Sequence, residues 1–484
     1  MDHEPTFAVI GAGMSGIASG VKLQERGYDF TIFEKAATVG GTWRENTYPG
    51  IACDVPSHIY SYSFDLNPEW SYLCSPGAEI QEYFERITDK YDLRPQIRFE
   101  DPVVSCIWSE DDRRWTVTGA SGHSVVVDFV IAATGILHHP SIPTIEGLDT
   151  FAGPLFHSAR WDHEVELDGK RIGLVGTGST GVQITGALAD VAAELKVFMR
   201  TAQWVSPVDQ VAYTEEEKQA WRTDADLLRE MHESMQQAFN DGFATSVLDG
   251  KSDLVSAIAQ RCTEYLDTQI ADPELRELLR PDYTPACKRL VISHNFYDAV
   301  QKPSVTVVPG QIRCIDETGI VDAEGVHHDL DIIVMATGFQ VDRFLRPMTV
   351  VGRDGVLLDD AWSDRPSAYL SVTVPGFPNL FMLNGPNSPV GNFSLIQTAE
   401  LQLDYTLGLV DMVAAEQLAV VAPTAEAAEA FEEERVEAAK KTVWATGCRS
   451  WYLDDRGIPF AWPFPFDRFR TEMAEARLSD YERV

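Results

Sequence analysis

The sequence predicts an α/β protein built from two copies of the same strand–turn–helix–strand unit. Each copy has a glycine-rich string of the form GxGxxG between a short apolar run and a helical pattern. The two copies lie about 165 residues apart, and each is followed later by an apolar strand that ends in Ala-Thr-Gly. With 484 residues, of which 44% are hydrophobic, the chain has enough apolar material for two or more packed cores.

The first copy lies at the start of the chain. Its parts are a strand over Thr6–Ile10, a turn with Gly11, Gly13, Ser15 and Gly16, a helix over Ile17–Arg26 and a strand over Asp29–Glu34. In such a turn the first glycine permits a tight bend, the second lets the backbone approach a diphosphate, and the third lets the helix pack on the strand. The free N–H groups at the helix N-terminus bind the anion. The unit therefore predicts a dinucleotide-binding site.

The second copy repeats this order. Its parts are a strand over Arg171–Val175, a turn with Gly176, Gly178, Ser179, Thr180 and Gly181, a helix over Val182–Ala193 and a strand over Leu195–Arg200. Because both strings lie between a strand and a helix, a pair of dinucleotide sites explains them better than a pair of ordinary βα turns.

The ends of the two second strands predict different cofactors. Glu34 lies 18 residues after Gly16. A carboxylate there accepts hydrogen bonds from ribose hydroxyls and repels a 2′-phosphate, which suits FAD or NAD. Arg200 lies 19 residues after Gly181 and is followed by Thr201. A guanidinium and a hydroxyl suit a 2′-phosphate, so the second site is predicted to bind NADP(H).

Charge and cysteine usage exclude several classes of protein. The chain has 39 Lys+Arg against 74 Asp+Glu, a formal charge of −35, which argues against a general nucleic-acid binder and against docking on an anionic membrane. No apolar run approaches the ~18 residues of a membrane span. The seven cysteines are odd in number and form no CxxC. We therefore expect a cytoplasmic protein without a disulfide and without a metal site.

Three further strings identify a family. Phe151–Asp162 has the pattern FxGxxxHxxxW(P/D), Gly40–Asp54 has the pattern (A/G)GxWxxxx(F/Y)P(G/M)xxxD, and Cys287–Arg289 follows the helical region. In these strings the sequence resembles the type I Baeyer–Villiger monooxygenases, which are class B flavoprotein monooxygenases. The resemblance extends from residue 6 to about 463 and ends in Ser450–Leu453.

The resemblance implies an α/β fold with two Rossmann-like dinucleotide-binding domains, one for FAD and one for NADP. The expected parts are a first FAD-binding part over 1–150, an NADP-binding domain over 151–340, and a second FAD-binding part over 341–484. A helical pattern at about 210–285 predicts a helical insertion in the NADP domain. The sequence does not distinguish between an insertion that covers the active site and one that faces solvent.

The resemblance also implies the chemistry. NADPH reduces FAD, O₂ gives a C4a-peroxyflavin, and attack on a ketone carbonyl yields an ester or a lactone. Such a reaction needs a cation near the developing oxyanion. Arg289 matches the arginine of the family, and Asp54 is expected to position it. Neither residue is decisive alone, since an Asp before a proline is also typical of a turn.

The remaining site residues are carried over by motif. On the FAD side they are Gly41, Thr42, Trp43, Asp54, Tyr60 and Val103, and on the NADP side Lys288 adds a second charge at the 2′-phosphate. Residues 386–393 are expected to form part of the substrate pocket. His157 lies in the predicted connection between domains, so we expect a structural role rather than proton transfer.

Three other functions were weighed. A disulfide reductase is excluded because Cys53 has no second cysteine at the spacing of a redox pair. A heteroatom oxygenase that acts on sulfur or nitrogen is the alternative to the ketone reaction. A flavoprotein that binds FAD without oxygenating a substrate is the third. The expected partners are a small ketone, or a sulfide or amine, together with O₂, and the sequence predicts no oligomeric state.

Overall fold

The computed structural model describes residues 3–245, 248–249, 252–391, 393–448, 450 and 452–483. Asn392 and Trp451, which belong to two of the strings above, lie outside the described residues. Over the described part of the chain, no helix is both long enough and apolar enough to cross a membrane.

Strands and helices alternate along most of the chain. The strands are β1 (Thr6–Ile10), β2 (Asp29–Phe33), β3 (Ile97–Arg98), β4 (Val103–Ser109), β5 (Arg114–Gly119), β6 (Ser124–Val127), β7 (Phe129–Ala132), β8 (Leu155–His157), β9 (Arg171–Val175), β10 (Glu194–Met199), β11 (Val205–Ser206), β12 (Val291–Ile292), β13 (Val305–Pro309), β14 (Ile312–Ile315), β15 (Gly319–Asp322), β16 (His327–Asp329), β17 (Ile332–Met335), β18 (Thr349–Val351) and β19 (Leu380–Met382). The α-helices are α1 (Met14–Glu25), α2 (Thr42–Glu45), α3 (Gly77–Lys90), α4 (Ser179–Leu188), α5 (Glu215–Thr223), α6 (Ala225–Phe239), α7 (Asp253–Gln269), α8 (Pro273–Leu278), α9 (Phe296–Ala299), α10 (Leu358–Ala361), α11 (Leu395–Ala414), α12 (Ala425–Ala439) and α13 (Phe466–Ala474).

A five-stranded parallel sheet contains the first glycine turn. Its strand order is β19-β7-β1-β2-β3, and every neighbouring pair runs parallel. β7 is apolar and buried at each position, as expected for a strand that is covered on both faces. Because β19 pairs with β7, the C-terminal part of the chain adds the last strand to the sheet that begins at Thr6.

A second five-stranded parallel sheet contains the second glycine turn. Its order is β13-β10-β9-β17-β8, and β9 and β17 are its central strands. All five strands come from the chain between Leu155 and Met335. The parallel pair β9 and β10 is joined through α4, just as β1 and β2 are joined through α1.

The two glycine turns are packed in the same way. A Cβ atom on Gly16 would lie 1.8 Å from the carbonyl oxygen of Gly11, and one on Gly181 would lie 2.1 Å from that of Gly176. Gly11 and Gly176 also have φ angles of 102° and 108°. Only glycine is accommodated at these positions, so each helix begins directly against the end of its strand.

The helices α5 to α8 lie between β11 and β12 and contact the first half of the chain. The ring of His58 meets those of Tyr213 and Trp221 edge-on, with centroids 5.1 and 4.6 Å away. His232 Nδ1 donates a hydrogen bond of 2.7 Å to the His58 carbonyl. Burial lowers the pKa of His58 to about 4, so this ring is neutral at physiological pH. The helical segment is therefore attached to the core through an apolar aromatic contact.

Cys287 and Cys448 form a disulfide bond, and the expectation that the chain has none was wrong. Their Cα atoms are 6.3 Å apart, a separation that a disulfide spans. The two cysteines are 161 residues apart in sequence, so folding alone brings them together and neither spacing nor number reveals the pair. The other five cysteines are free.

Reduction of this disulfide should lower the free energy of unfolding. A cross-link over 161 residues restricts mainly the unfolded chain, and its loss should cost about 2–5 kcal/mol. Thermal unfolding with and without a reductant measures the effect. Thiol titration of the unfolded chain should rise from five to seven on reduction. Cys448→Ser should abolish the reductant-dependent shift, and the control Cys314→Ser should keep it. Seven thiols before reduction would contradict the bond.

Glu400 on α11 is a buried carboxyl group. It is 9% exposed, and its Oε1 accepts hydrogen bonds from the backbone N–H and the hydroxyl of Ser63, at 3.0 and 2.9 Å. Burial raises the pKa of Glu400 to about 7, although the two Ser63 hydrogen bonds oppose the rise. Near neutral pH the folded protein therefore retains a proton on Glu400 that the unfolded chain has released.

This difference predicts a pH-dependent stability. The favourable contribution of protonated Glu400 should be complete below about pH 4.5 and should be lost as the pH rises to about 7. Glu400→Gln preserves an acceptor for Ser63 and removes the charge. We expect it to be about 1–3 kcal/mol more stable than the wild type at about pH 8, with no such gain at about pH 4.5. Denaturant unfolding at both pH values measures this, with Asp411→Asn as an exposed control on the same helix whose charge does not act on Glu400. Equal stability at the higher pH would show that Glu400 is not protonated.

Candidate active site

Arg289 and Asp54 form an ion pair between the two halves of the chain. Arg289 Nη2 lies 2.6 Å from both carboxylate oxygens of Asp54, and Nε donates a hydrogen bond of 2.9 Å to Oδ2. Burial lowers the pKa of the Arg289 guanidinium, but the Asp54 carboxylate outweighs it and leaves the pKa above its usual value. The guanidinium is therefore a permanent cation held in a fixed orientation. The structure brings together the two residues that the sequence predicts as catalytic.

Two further groups contact the same guanidinium. The Tyr452 hydroxyl hydrogen bonds to Arg289, and Arg289 Nη1 lies 3.4 Å from the carbonyl oxygen of Gly391. Tyr452 is 1% exposed, and burial raises the pKa of its hydroxyl despite the neighbouring cation. The sequence analysis did not assign Tyr452 to the site, although the residue belongs to the string at the end of the family resemblance.

A cavity of about 440 Å³ opens beside this ion pair. Its wall is mostly apolar, and Asp54, Arg289 and Arg261 are its charged lining residues. Gly391 and Phe393, from the predicted pocket stretch, also line it. Such a cavity, with few polar groups in an apolar wall, is typical of a small-molecule site.

One face of α7 forms a wall of this cavity. Leu254, Ala257, Ile258 and Arg261 line it, and their spacing places them on the same side of a helix. The sequence predicts a helical insertion that either covers the active site or faces solvent. Because α7 lines the cavity, the structure favours a cover over the cavity.

The turn before α1 lies close to the segment before α2, and the two leave little space between them. A Cβ atom on Gly13 would lie 3.4 Å from the Cα of Gly41, and one on Gly41 would lie 3.0 Å from the Cα of Gly13. No side chain caps the first turn of α1, so its N–H groups are available to an anion. Ser15 Oγ accepts a hydrogen bond of 3.2 Å from Asn384. This cradle fits the diphosphate of a dinucleotide.

Glu34 lies at the end of β2, beside this turn. Its Oε2 accepts a hydrogen bond of 2.8 Å from the N–H of Ala12, and its Oε1 accepts one of 2.9 Å from the N–H of Ala36. Arg44 Nη1 donates to the same Oε1 at 2.7 Å. Arg44, which holds the carboxylate in place, was not predicted from the sequence. The Glu34 carboxylate is therefore held in a fixed orientation at the end of β2.

The other residues predicted for the FAD side surround the same turn. Trp43 Nε1 donates a hydrogen bond of 2.9 Å to the Tyr60 hydroxyl, and their rings meet edge-on. Thr42 begins α2, directly after Gly41. Val103 begins β4 two residues after Asp101, whose N–H donates to the Glu34 carbonyl at 3.0 Å. All of these residues therefore lie on segments that contact the first glycine turn or the end of β2.

The turn before α4 has the same form. No side chain caps the first turn of α4, and a Cβ atom on Gly178 would meet no atom within 4 Å. The space in front of this turn is therefore open to a ligand. Ser179 and Thr180 begin the helix, and Thr180 Oγ1 lies 3.4 Å from the hydroxyl of Tyr48 in the first half of the chain.

Arg200 and Lys288 lie close together near the end of β10. Burial and then repulsion by Arg200 lower the pKa of Lys288, whose Nζ lies 4.4 Å from the centre of the Tyr283 ring. Within the described residues neither cation forms a salt bridge with a carboxylate. Thr201 follows Arg200, and its carbonyl accepts a hydrogen bond of 3.3 Å from the Thr177 hydroxyl. Asp282 also acts on Lys288 but forms no salt bridge with it, and a pair of cations of this kind fits a 2′-phosphate.

Comparisons with known proteins agree with this geometry. Residues 5–242 match the family model of flavin-binding monooxygenase-like proteins. An uncharacterized monooxygenase of Mycobacterium tuberculosis is 45% identical over 482 residues, which cover 99% of this chain and 96% of that protein. A Baeyer–Villiger monooxygenase of Streptomyces coelicolor is 38% identical over 491 residues, which cover 98% and 92%. A solved steroid monooxygenase bound to NADP has a TM-score of 0.87 at 31% identity and covers 97% of each chain.

The chain belongs to the type I Baeyer–Villiger monooxygenases. The predictions of the family, of an α/β fold with two dinucleotide-binding domains, and of an NADPH-dependent flavin monooxygenase are confirmed. The predicted cofactors, FAD and NADPH, are confirmed as well, since solved structures of this fold contain FAD and NADP.

His157 of the family string lies at the end of β8, away from the ion pair. It is buried, and its Nδ1 accepts a hydrogen bond of 3.1 Å from the N–H of Ala159. It does not line the cavity beside Arg289. Burial lowers the pKa of His157, so its ring is neutral near pH 7. A structural role for this residue stays a prediction.

Arg200→Ala should weaken NADPH binding selectively. A charge-assisted hydrogen bond to phosphate contributes about 1.5–3 kcal/mol, so KM for NADPH should rise roughly ten- to a hundredfold while KM for NADH changes little. Initial rates of coenzyme oxidation measure both constants. Arg313→Ala removes an exposed arginine of the same half of the chain and should leave both constants unchanged. Equal losses with the two coenzymes would mean that Arg200 does not bind the 2′-phosphate.

Proposed function

We propose that the Arg289–Asp54 pair carries an FAD-dependent, NADPH-consuming oxygenation of ketones in the apolar cavity. One atom of O₂ is inserted beside the carbonyl, so that ketone, O₂, NADPH and one proton give an ester or lactone, NADP⁺ and water. The observation that supports this proposal is a fixed cation at a cavity whose wall is otherwise mostly apolar.

Arg289 stabilises the negative charge that develops on the ketone oxygen. Nε and Nη2 donate to Asp54, whereas no bond from Nη1 to Asp54 is found in the described structure, and Nη1 lies 3.4 Å from the carbonyl oxygen of Gly391. We assign Nη1 as the nitrogen that donates to the substrate oxygen. A donor that is already oriented in a site of low dielectric needs no reorganisation during the reaction, and this is the usual source of oxyanion stabilisation.

Asp54 and Tyr452 hold Arg289 in position. The carboxylate holds two of the guanidinium nitrogens, and the tyrosine hydroxyl contacts the same group. We assign both as positioning residues. Because Asp54 balances the charge of Arg289, the pair is less costly to bury than the cation alone.

The cofactors are held by the two halves of the chain. When bound, the flavin accepts hydride from NADPH and activates O₂. The proposed FAD ligands are Gly11, Gly13, Ser15, Gly16, Glu34, Gly41, Thr42, Trp43, Asp54, Tyr60 and Val103. The proposed NADP ligands are Gly176, Gly178, Ser179, Thr180, Gly181, Arg200, Thr201 and Lys288. The composition of the two parallel sheets supports a division into 1–150 with 341–484 for FAD and 151–340 for NADP.

The proposed partners are a small ketone and O₂. Oxidation of a sulfide or an amine by the same site is the alternative, and nothing in the geometry of the cavity favours it over the ketone. A cytoplasmic location also stays a proposal. The disulfide removes the support that cysteine usage gave to this location.

Arg289→Ala should abolish ester formation while FAD stays bound. Loss of one oriented oxyanion donor costs about 3–4 kcal/mol, or roughly a hundred- to a thousandfold in rate. Arg289→Lys should restore activity only in part, because an ammonium cannot donate as a planar fork. The measurement is ester formed per NADPH consumed, for one ketone and one sulfide, with the flavin spectrum as the control for binding.

The outcomes separate the two reactions. Sulfide oxidation should be less affected than ester formation if the same cavity serves both. The control Arg313→Ala lies outside the cavity and should behave as the wild type. Ester formation by Arg289→Ala at close to the wild-type rate would remove Arg289 from the mechanism.

A further inference from the structure

A second arginine, Arg261, also lines the cavity. Its Nη2 donates a hydrogen bond of 3.0 Å to the carbonyl oxygen of Pro207. Like several other cations of the chain, Arg261 forms no salt bridge with an acid in the described residues. By contrast, Arg289 in the same cavity is paired with Asp54.

The position of Arg261 on α7 explains why it faces the cavity. Leu254, Ala257 and Ile258 precede it on the lining face of the helix, and Arg261 is one turn beyond Ile258. The bond to Pro207 holds its guanidinium beside the end of β11, where Ser206 and Pro207 also line the cavity. Arg261 is itself exposed, so it lies where the apolar wall meets solvent.

The distance between the two arginines can be estimated along the wall. Ser206 of β11 pairs with Ile292 of β12, and Pro207 follows Ser206. Pro207 is therefore level with Ser293, four residues after Arg289. At about 3.3 Å per residue of extended chain, the two ends of this stretch of the wall lie roughly 13 Å apart. An extended chain of three bonds covers about 3.3–3.6 Å, so roughly eleven bonds span this stretch.

We propose that the substrate is an oxo acid, with its ketone at Arg289 and a carboxylate at Arg261, joined by an apolar chain of roughly eight to eleven bonds. This inference rests on the proposed ketone oxygenation and names its substrate class. A guanidinium that keeps most of its N–H donors free is suited to a carboxylate, which it binds with two parallel hydrogen bonds. The aliphatic wall between the two arginines accommodates the methylene chain.

The test compares an acid with its neutral ester. The probes are 9-oxodecanoate, its methyl ester and the short acid 4-oxopentanoate, each with NADPH and O₂ and the FAD-loaded enzyme. Loss of a hydrogen bond to a charged group costs about 1.5–3 kcal/mol, or roughly ten- to a hundredfold in binding. The wild type should therefore have a KM for 9-oxodecanoate about ten- to a hundredfold below that for the methyl ester. The short acid should have no such advantage over its own methyl ester.

Variants of Arg261 test whether this residue causes the preference for the acid over its methyl ester. Arg261→Gln should raise KM for 9-oxodecanoate to the value of the ester, with KM for the ester and kcat for both changed by less than about threefold. Arg261→Lys should retain part of the preference. Arg229→Gln removes an exposed arginine of α6 that does not line the cavity, and it should leave the preference intact. Because the site is exposed, added salt should weaken the preference of the wild type.

Three results would overturn the proposal. Equal KM for the acid and the ester in the wild type would exclude a carboxylate subsite. A rise in KM for NADPH in Arg261→Gln would show that Arg261 binds the coenzyme instead. A preference that survives in Arg261→Gln would place the carboxylate at another cation.

Failure of the ketone reaction itself is distinguishable from these results. If no probe yields an ester, decanoate and methyl decanoate, which carry no ketone, still report on the subsite. Their binding to the FAD-loaded enzyme is measured by titration calorimetry. The wild type should bind decanoate about tenfold or more tightly than its methyl ester, and Arg261→Gln should not. Equal binding of the two compounds by the wild type would then reject the subsite independently of the oxygenation chemistry.

Discussion

The ion pair between Arg289 and Asp54 is the interaction on which the site depends. Its two residues are 235 positions apart and come from the halves of the chain that carry the two glycine turns. A guanidinium that loses water must be paired, because an unpaired buried charge costs several kcal/mol. The bidentate geometry requires the loop around Asp54 and the segment before β12 to keep their relative position. Cation, cavity and cofactor turns are therefore coupled through one contact.

Several other contacts fix the segments that carry Asp54 and Arg289. Tyr48 donates a hydrogen bond of 2.8 Å to Gln183 of α4, and Gln183 donates one of 3.0 Å to the carbonyl of Ala52. On the other side, the disulfide ties Cys287, two residues before Arg289, to Cys448 near the C-terminus. The segment from 287 to 289 is thus fixed covalently at one end and electrostatically at the other. Neither contact touches the substrate, yet both limit how far Arg289 can move.

The sequence predicts the local features well and the tertiary pairs poorly. β1 and β9 begin and end at the predicted residues. A buried parallel strand followed by a glycine turn is a pattern of consecutive residues, so the sequence alone is enough to predict it. Arg289 and Asp54 were predicted through family strings rather than through physics. The Cys287–Cys448 bond, the Arg44–Glu34 pair and the Tyr452–Arg289 contact were not predicted. Some of these pairs join residues that are far apart in sequence and meet only after folding. Others involve residue types that are common on protein surfaces. In neither case does the spacing of the residues predict the contact.

The charge distribution explains how an acidic protein can bind acidic ligands. The chain has a formal charge of −35, and NADPH is itself an anion, so the average field opposes their approach. Field strength at a site depends on charges within about one Debye length, which is about 10 Å at 0.1 M salt. Arg200 and Lys288 lie side by side without a salt bridge to an acid in the described structure, and Arg261 is likewise without one. These three are among several cations that form no salt bridge in the described residues, and they lie near the two places where anions are proposed to bind. Local attraction at these places outweighs the distant surface charge, which physiological salt largely screens.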